Sequence, residues 1–443
     1  MAIKLSDHFT YGKLFKFTLP SIATMIFSSI FGVVDGFFVS NFVGKQAFAA
    51  INLIMPFLLI FGAVGFMFGT GGSALVSMIL GQGDNKKANR IFSLLIYLLI
   101  IIGAVFTVAG NIFLKTVAVK LGATEEMLPH CMQYGHIILF SLVPFMLQYV
   151  FQSFLVTAER PALGLAVTLI AGSTNMVLDA LFIAVFKWGV AGAAFATVVS
   201  QMFGGLIPLV YFILPNKTVL RLGKTGFDGK AVFKTCTNGS SEFMSSISAS
   251  FVSMLYNFTL MKYAGEQGVA SYGVIMYISF IFAAVFLGYS VGSSPIVSYH
   301  YGMENYDEMK GLFKKSTAII VFWGIGLTGL SKLLAHPLAM IFVSYDKELL
   351  KMTERAFSIY SFSFLFAGLN IYGSSFFTAL NNGLISAIIS FARTLVFNAI
   401  CVLTLPLIFK IDGVWLSVVF AEILALIMTA GFIIANRKKY RYI

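Results

Sequence analysis

Charge is what this sequence has least of. Asp, Glu, Lys and Arg make up 11% of its 443 residues while 58% are hydrophobic, against roughly 25% charged residues in an ordinary globular chain. With a mean hydropathy of +0.90, a water-soluble fold is excluded and most of the chain belongs in lipid. Cysteine is scarce as well. Cys131, Cys236 and Cys401 lie far apart, match no metal spacing and leave an odd thiol, so no disulfide framework is expected. No Walker A sequence is present, which argues against direct drive by ATP. The five histidines, His8, His130, His136, His300 and His336, form no metal-ligand spacing, and no hydrolase nucleophile motif stands out. No cofactor is therefore expected, and no metal beyond a possible Na⁺ ion.

What remains is apolar helix. In the first half the runs are Leu14–Phe42, Ala47–Leu80, Ile91–Leu114, Tyr134–Ala158, Leu163–Phe186 and Gly189–Leu214. The second half gives Val232–Met261, Gly268–Tyr299, Ser316–Leu334, Ala356–Leu380, Leu384–Phe409 and Gly413–Ala435. Each is long enough for a crossing, which needs ~20 apolar residues. The sequence thus predicts an all-α integral membrane protein of twelve transmembrane helices. The first run is too long and too Pro-interrupted for a cleaved signal peptide, so no processing is expected. An even number of spans puts both termini on one side. That side collects 19 of the 30 Lys and Arg residues, the other 10, and Arg393 alone falls inside a span. The bias places both termini in the cytoplasm of a cell bounded by its plasma membrane. A nucleic-acid partner for the +12 net charge is not expected, since no stacking motif or basic domain accompanies it.

The chain repeats itself. Gly44, Gln46, Ala49, Ile54 and Met55 recur as Gly265, Gln267, Ala270, Ile275 and Met276, and Gly71, Ser73, Ser77 and Gly81 as Gly292, Ser294, Ser298 and Gly302. Two six-helix lobes follow, 1–214 and 232–443, joined by a cytoplasmic linker, 215–231, whose Gly223, Gly226 and Gly229 read as a hinge. Because each half has an even number of spans, the repeats are parallel, related by a pseudo-two-fold axis along the membrane normal.

At this level of detail the sequence resembles the multidrug and toxic compound extrusion (MATE) transporters over essentially its whole length. The carriers are Pro20 through Asp35-Gly36, Gly81-Gln-Gly-Asp-Asn-Lys-Lys-Ala88, Asn175-Met-Val-Leu-Asp179, Gly189-Val-Ala-Gly-Ala-Ala-Phe-Ala-Thr197 and Tyr301-Gly-Met-Glu-Asn305. It is most similar to the bacterial drug-efflux branch that keeps its acidic cluster in the first lobe. The resemblance implies antiport of drugs against H⁺ or Na⁺ by rocking of the two bundles. Residue patterns alone reach only a secondary transporter.

Depth singles out the acids that matter. A carboxylate at the bilayer centre costs at least ~2.5 kcal/mol on insertion scales, and only Asp35, Asp179, Glu242 and Glu422 fall within spans. Asp35 and Asp179 each lie about 10 Å from the outer end of their helices, and Thr197 about 12 Å from the outer start of its own. Asn175 sits one turn deeper than Asp179 on the same helix face. Two acids together in low dielectric cannot both stay ionised cheaply, so the pair is suited to hold a proton. The same oxygens suit a hard cation such as Na⁺. Asp35 and Asp179 are expected to be the coupling residues, with Asn175 and Thr197 as partners. The alternative is that each acid is satisfied separately by its own neighbours.

The second lobe lacks the pair, since Tyr256 stands at the repeat position of Asp35 and Asn398 near that of the fifth-span polar residues. Glu242 and Arg393 share a depth and are expected to pair. Some relatives couple through acids in the seventh and tenth spans, and the tenth span here offers Asn370 instead. Tyr256, Met276, Tyr277, Phe280 and Asn370 are expected drug contacts, since Met and aromatic side chains adapt to varied apolar shapes. The expected substrates are amphipathic organic cations and the expected state is a monomer in the bilayer. Two other readings stay open: a flippase of lipid-linked saccharides with a similar helix plan, and a membrane-embedded enzyme or scaffold.

Overall fold

The computed structural model describes residues 3–344 and 346–443, without the Lys45 side chain. Among them there are helices and short connectors and no strand, as lipid requires of a chain that must satisfy its own backbone polar groups. Helix α1 is Tyr11–Phe42, α2 Lys45–Gly81 and α3 Asn85–Lys120. Helix α4 is broken, Leu128–Phe140 and Leu142–Thr157 meeting at 57°. Helix α5 is Pro161–Asp179 continued by a π-helical turn, Ala180–Val185, and α6 is Gly189–Ile213. The run Gly229–Gly302 is 74 residues long, too long for one crossing, and doubles back at Gly265, where φ is 60° and ψ −152°. Its arms are α7, 229–264, and α8, 266–302. Tyr256 and Tyr272 stack across the reversal with ring centroids 5.1 Å apart, which a straight helix would hold about 24 Å apart.

Helix α9 is Tyr306–Val343, and α10 joins Lys347–Tyr360 to Phe364–Ala379 through a 3₁₀ turn. Helix α11 begins at Gly383–Phe391, passes through a second π-helical turn, Ala392–Phe397, and reverses at Lys410 (φ 52°) into α12, 411–440. Length and apolarity by themselves separate nine or ten crossings, and resolving the two reversals gives twelve. Side-chain caps start several helices: Thr10, Asp84, Asp228, Asn305, Asp346 and Asn382 each accept a first-turn N–H, satisfying donors that a helix start leaves free.

The repeat is written into the backbone as well as the sequence. Left-handed residues pair off between the halves at Gly44 and Gly265, Gly83 and Glu304, Glu159 and Asn381, and Lys187 and Lys410, always 221 to 223 residues apart. Each lobe has its own buried apolar core, one holding Phe92, Phe151, Phe154 and Phe212, the other Phe286, Phe357, Phe376 and Trp415. The second core also takes in Leu5, Phe9, Leu14, Phe17 and Ile22. The chain's first stretch therefore packs across the seam between lobes.

Bare backbone closes that seam. A Cβ on Gly71 would strike Thr235 and Gly239, one on Gly239 would strike Met67, and one on Gly81 or Gly302 would strike Tyr299 or Met78. Gly288 is pressed on Ser21 and Ile22 in the same way. These contacts gather toward the face that carries both termini, here called the terminal face. Toward the opposite face Gly32, Gly36 and Gly273 have no neighbour within 4 Å of where a Cβ would stand. The close backbone contacts between the lobes lie at one end. The connector between them differs from the free hinge its glycines suggest: Leu220 is buried, and Asn89 and Ser93 of α3 hydrogen-bond its backbone.

Candidate functional site

Helices α1 and α5 run side by side in the same direction, Gly172 allowing Phe31 to lie directly against its backbone. One turn further along each helix brings Asp35 level with Asn175, and Asp179 follows a turn later. The two carboxyls end within hydrogen-bonding reach of one another. Asp179 is fully buried. Asp35 Oδ1 and both oxygens of Asp179 are buried and receive no protein donor, leaving each only the facing carboxyl. Two carboxylates bond each other only through a shared proton or a shared cation. Chemically, the arrangement can hold one small positive charge between the two acids.

The neighbouring groups are polar and neutral. Thr197 of α6 gives its own hydroxyl to the Ala193 carbonyl at 3.0 Å. Tyr134 of α4 brings its hydroxyl to Thr197 and stands in the field of both acids. Tyr134 is a member of the site that sequence reading missed, because a tyrosine in an apolar run carries no signal among 18 of them. Asn175 is buried on the same helix as Asp179. The α-helix ends at Asp179, where the π-helical turn 180–185 takes over. Such bulges offset the hydrogen-bond ladder by one residue, and they recur at functional positions.

The second lobe answers with a closed, charge-neutral counterpart. Tyr256, at the repeat position of Asp35, donates its hydroxyl to Asn398 Oδ1 at 3.2 Å, and Val402, near the repeat position of Asp179, is buried. The expected pairing of Glu242 with Arg393 is not formed. Arg393 instead binds Glu422 of α12, with Nη2 2.8 Å and Nε 2.9 Å from Oε1. Asn370 Nδ2 donates to Glu422 Oε2 at 2.7 Å and to its carbonyl at 2.9 Å. Depth alone misassigned the pair: the hairpin at Lys410 lays α12 along α11 and brings Glu422 to Arg393. Asn370 and Tyr256, expected as drug contacts, are sealed inside the second lobe at 0% and 1% exposure. Met276 packs half-buried on that core, while Tyr277 and Phe280 are exposed at 42% and 64%.

Glu242 takes a different place. It borders a cavity of ≈ 20 Å³ between the lobes, with Thr70, Ser73 and Ser153 from the first lobe and Ser290 and Ser294 from the second, room for about one water. The run Gly288-Tyr-Ser-Val-Gly292 in this wall does carry the spacing of a hydrolase nucleophile. It lies in mid-helix, where both glycines serve close packing on α1, with none of the strand-turn-helix strain that exposes such a serine.

Two six-helix lobes, twelve crossings and a buried acid pair in one lobe define the class: a multi-pass membrane protein built of two repeats. The MatE family model matches residues 20–181 and 243–404, one copy in each lobe, and the chain belongs to that family. Among curated proteins it is 25% identical to the multidrug export protein MepA of Staphylococcus haemolyticus over 94% of this chain and 92% of that one. The MepA protein of Staphylococcus aureus is 24% identical over 92% and 90%. A solved structure described as the outward-facing conformation of a multidrug resistance MATE family transporter superposes with a TM-score of 0.93 at 19% identity, covering 98% of both chains.

Proposed function

We propose that this protein is a secondary active multidrug exporter of the plasma membrane, exchanging amphipathic organic cations for H⁺ or Na⁺. The observation that carries the reading is the Asp35–Asp179 pair, whose buried oxygens have no protein donor but each other. The MepA relatives named for multidrug export support the substrate class, and the acid character of the pair suits a cationic cargo. The lysine and arginine bias supports a cytoplasmic terminal face. The shut seam is then the outward-facing state, and rocking of the lobes about it gives alternating access. Cargo and coupling ion compete for the same carboxylates, so binding of either weakens the other by an equal factor. No resident cofactor and no second subunit is needed for this cycle.

The test is uptake of a fluorescent organic cation by proteoliposomes under an imposed pH or Na⁺ gradient, which also identifies the ion. Asp35→Asn and Asp179→Asn each keep the shape of the site but cannot share a proton. Both are expected to lose gradient-driven uptake at least tenfold while remaining folded in the membrane. Unchanged uptake in the two variants rejects the reading. Uptake of a lipid-linked saccharide in place of the cation would favour the flippase.

A further inference from the structure

On the terminal face, where α3 begins and the inter-lobe connector crosses it, four cations surround one hollow. Lys86 and Arg90 of α3 and Arg221 and Lys224 of the connector line a cavity of ≈ 330 Å³ into which no carboxylate projects. None of the four forms an ion pair among the described residues. Asp84, the nearest acid in sequence, caps the helix outside it by accepting the Lys87 N–H at 2.9 Å.

The walls are fixed by hydrogen bonds. Asn89 Nδ2 donates to the Val219 carbonyl at 2.8 Å, and its Oδ1 receives the Arg221 N–H at 2.5 Å. Ser93 Oγ receives the Gly223 N–H at 3.0 Å, and Thr225 Oγ1 donates to the Arg90 carbonyl at 2.8 Å. A general excess of surface lysine explains positive charge on this face, but it does not explain a connector laced down so that four cationic residues line one hollow. Like charges gathered without a counter-ion repel one another, and an anion bound among them would relieve that repulsion. Arginine supplies planar forks that match phosphate oxygens.

We infer that this cavity binds a phosphate group. The hollow lies at the lipid headgroup level, because the apolar run of α3 begins at Ile91 immediately after Arg90. Val219 and Phe227 of the same connector are exposed at 42% and 78%, apolar side chains of the kind that acyl chains cover. Basic pockets at this level hold anionic headgroups. The phosphate of an anionic phospholipid therefore suits the site, and free phosphate shares the same chemistry. Its occupant pins the connector to α3, so the first lobe and the link to the second move as one body.

The experiment uses the full-length protein in neutral detergent and follows its thermal unfolding against three probes: phosphatidylglycerol, phosphatidylcholine with the same chains, and inorganic phosphate. Phosphatidylglycerol is expected to raise the unfolding temperature of the native protein, with an apparent affinity at least tenfold weaker in Arg90→Gln/Arg221→Gln. Phosphatidylcholine gives no such shift. If inorganic phosphate reproduces the effect, with the same loss in the variant, the site stands and a soluble anion is its source. Equal response of native and variant protein to both anions overturns the inference. Should that double variant not fold, Lys86→Gln/Lys224→Gln tests the same hollow with the arginines in place.

Discussion

Asp35 and Asp179 could be found by reading because an acid inside an apolar run is conspicuous, and depth arithmetic brought Asn175 and Thr197 with them. Tyr134 had no such mark, although it stands in the field of both acids beside Thr197. Under the proposed exchange it steadies Thr197 beside the shared cation. Tyr134→Phe removes one neutral hydrogen bond, worth about 1 kcal/mol net, or roughly a fivefold change in an equilibrium. The half-saturating H⁺ or Na⁺ concentration for uptake is expected to shift by that factor, with the protein's thermal stability held. A half-saturation equal to that of the native protein would show that Tyr134 only fills space. Glu242 and Arg393 show the limit of the same arithmetic. Depth gave the level of each charge but not which helix face it occupies, and Glu422 at a matching level was the partner.

At the scale of elements, hydrophobic runs revealed how many helices there are but not how they bend. The break in α4 and the π-helical turns in α5 and α11 leave the apolar pattern uninterrupted, whereas the reversals at Gly265 and Lys410 fall where Lys262, Glu266, Lys410 and Asp412 divide the runs. The π-helical turns lie in repeat-related helices at different depths, one beside Asp179 and one around Arg393, so each falls at its own lobe's intramembrane charge on that helix. In the second lobe that charge is paired. Arg393 is held by Glu422, and Glu422 by Asn370, a cluster linking α10, α11 and α12. Breaking a buried pair by removing one partner costs about 3–5 kcal/mol, whereas replacing both with apolar residues is often neutral. Glu422→Gln is therefore expected to lower the unfolding temperature in detergent markedly, and Arg393→Met/Glu422→Leu to recover most of the loss. If the double variant unfolds no later than the single one, the pair is not an independent structural unit.

For the whole molecule, the repeat and the two lobes were legible because a constant shift survives in the spacing of glycines and loop residues. The closed end was not, since no local pattern marks which faces of two bundles meet. One device at that end joins both lobes through the chain's own start. The Leu5 N–H donates to Glu159 Oε1 at 2.7 Å, on the α4–α5 connection of the first lobe, and the Phe9 N–H donates to Glu308 Oε1 at 2.9 Å, on α9 of the second. His8 Nδ1 lies 2.5 Å from the other Glu308 oxygen, Lys315 Nζ donates to the Phe9 carbonyl at 2.5 Å, and Leu5 and Phe9 are buried. Burial pushes the Glu159 carboxyl above the ordinary range, with the Leu5 N–H acting in the opposite sense. A tied carboxyl that holds its proton more tightly than a free one favours the tied state at low pH and gives up that contribution as pH rises through the raised value. Glu159→Gln, neutral at every pH and still an acceptor, is expected to keep the terminal face shut without that pH dependence. Glu159→Ala leaves the Leu5 N–H without its acceptor and, like deletion of residues 3–9, is expected to populate the state open at this face. Spin labels at positions 87 and 310, one on each lobe, read the difference as a longer distance component. Identical distance distributions in native, Glu159→Ala and deleted proteins would mean that the glycine seam alone holds the lobes together, and that the first residues merely cover it.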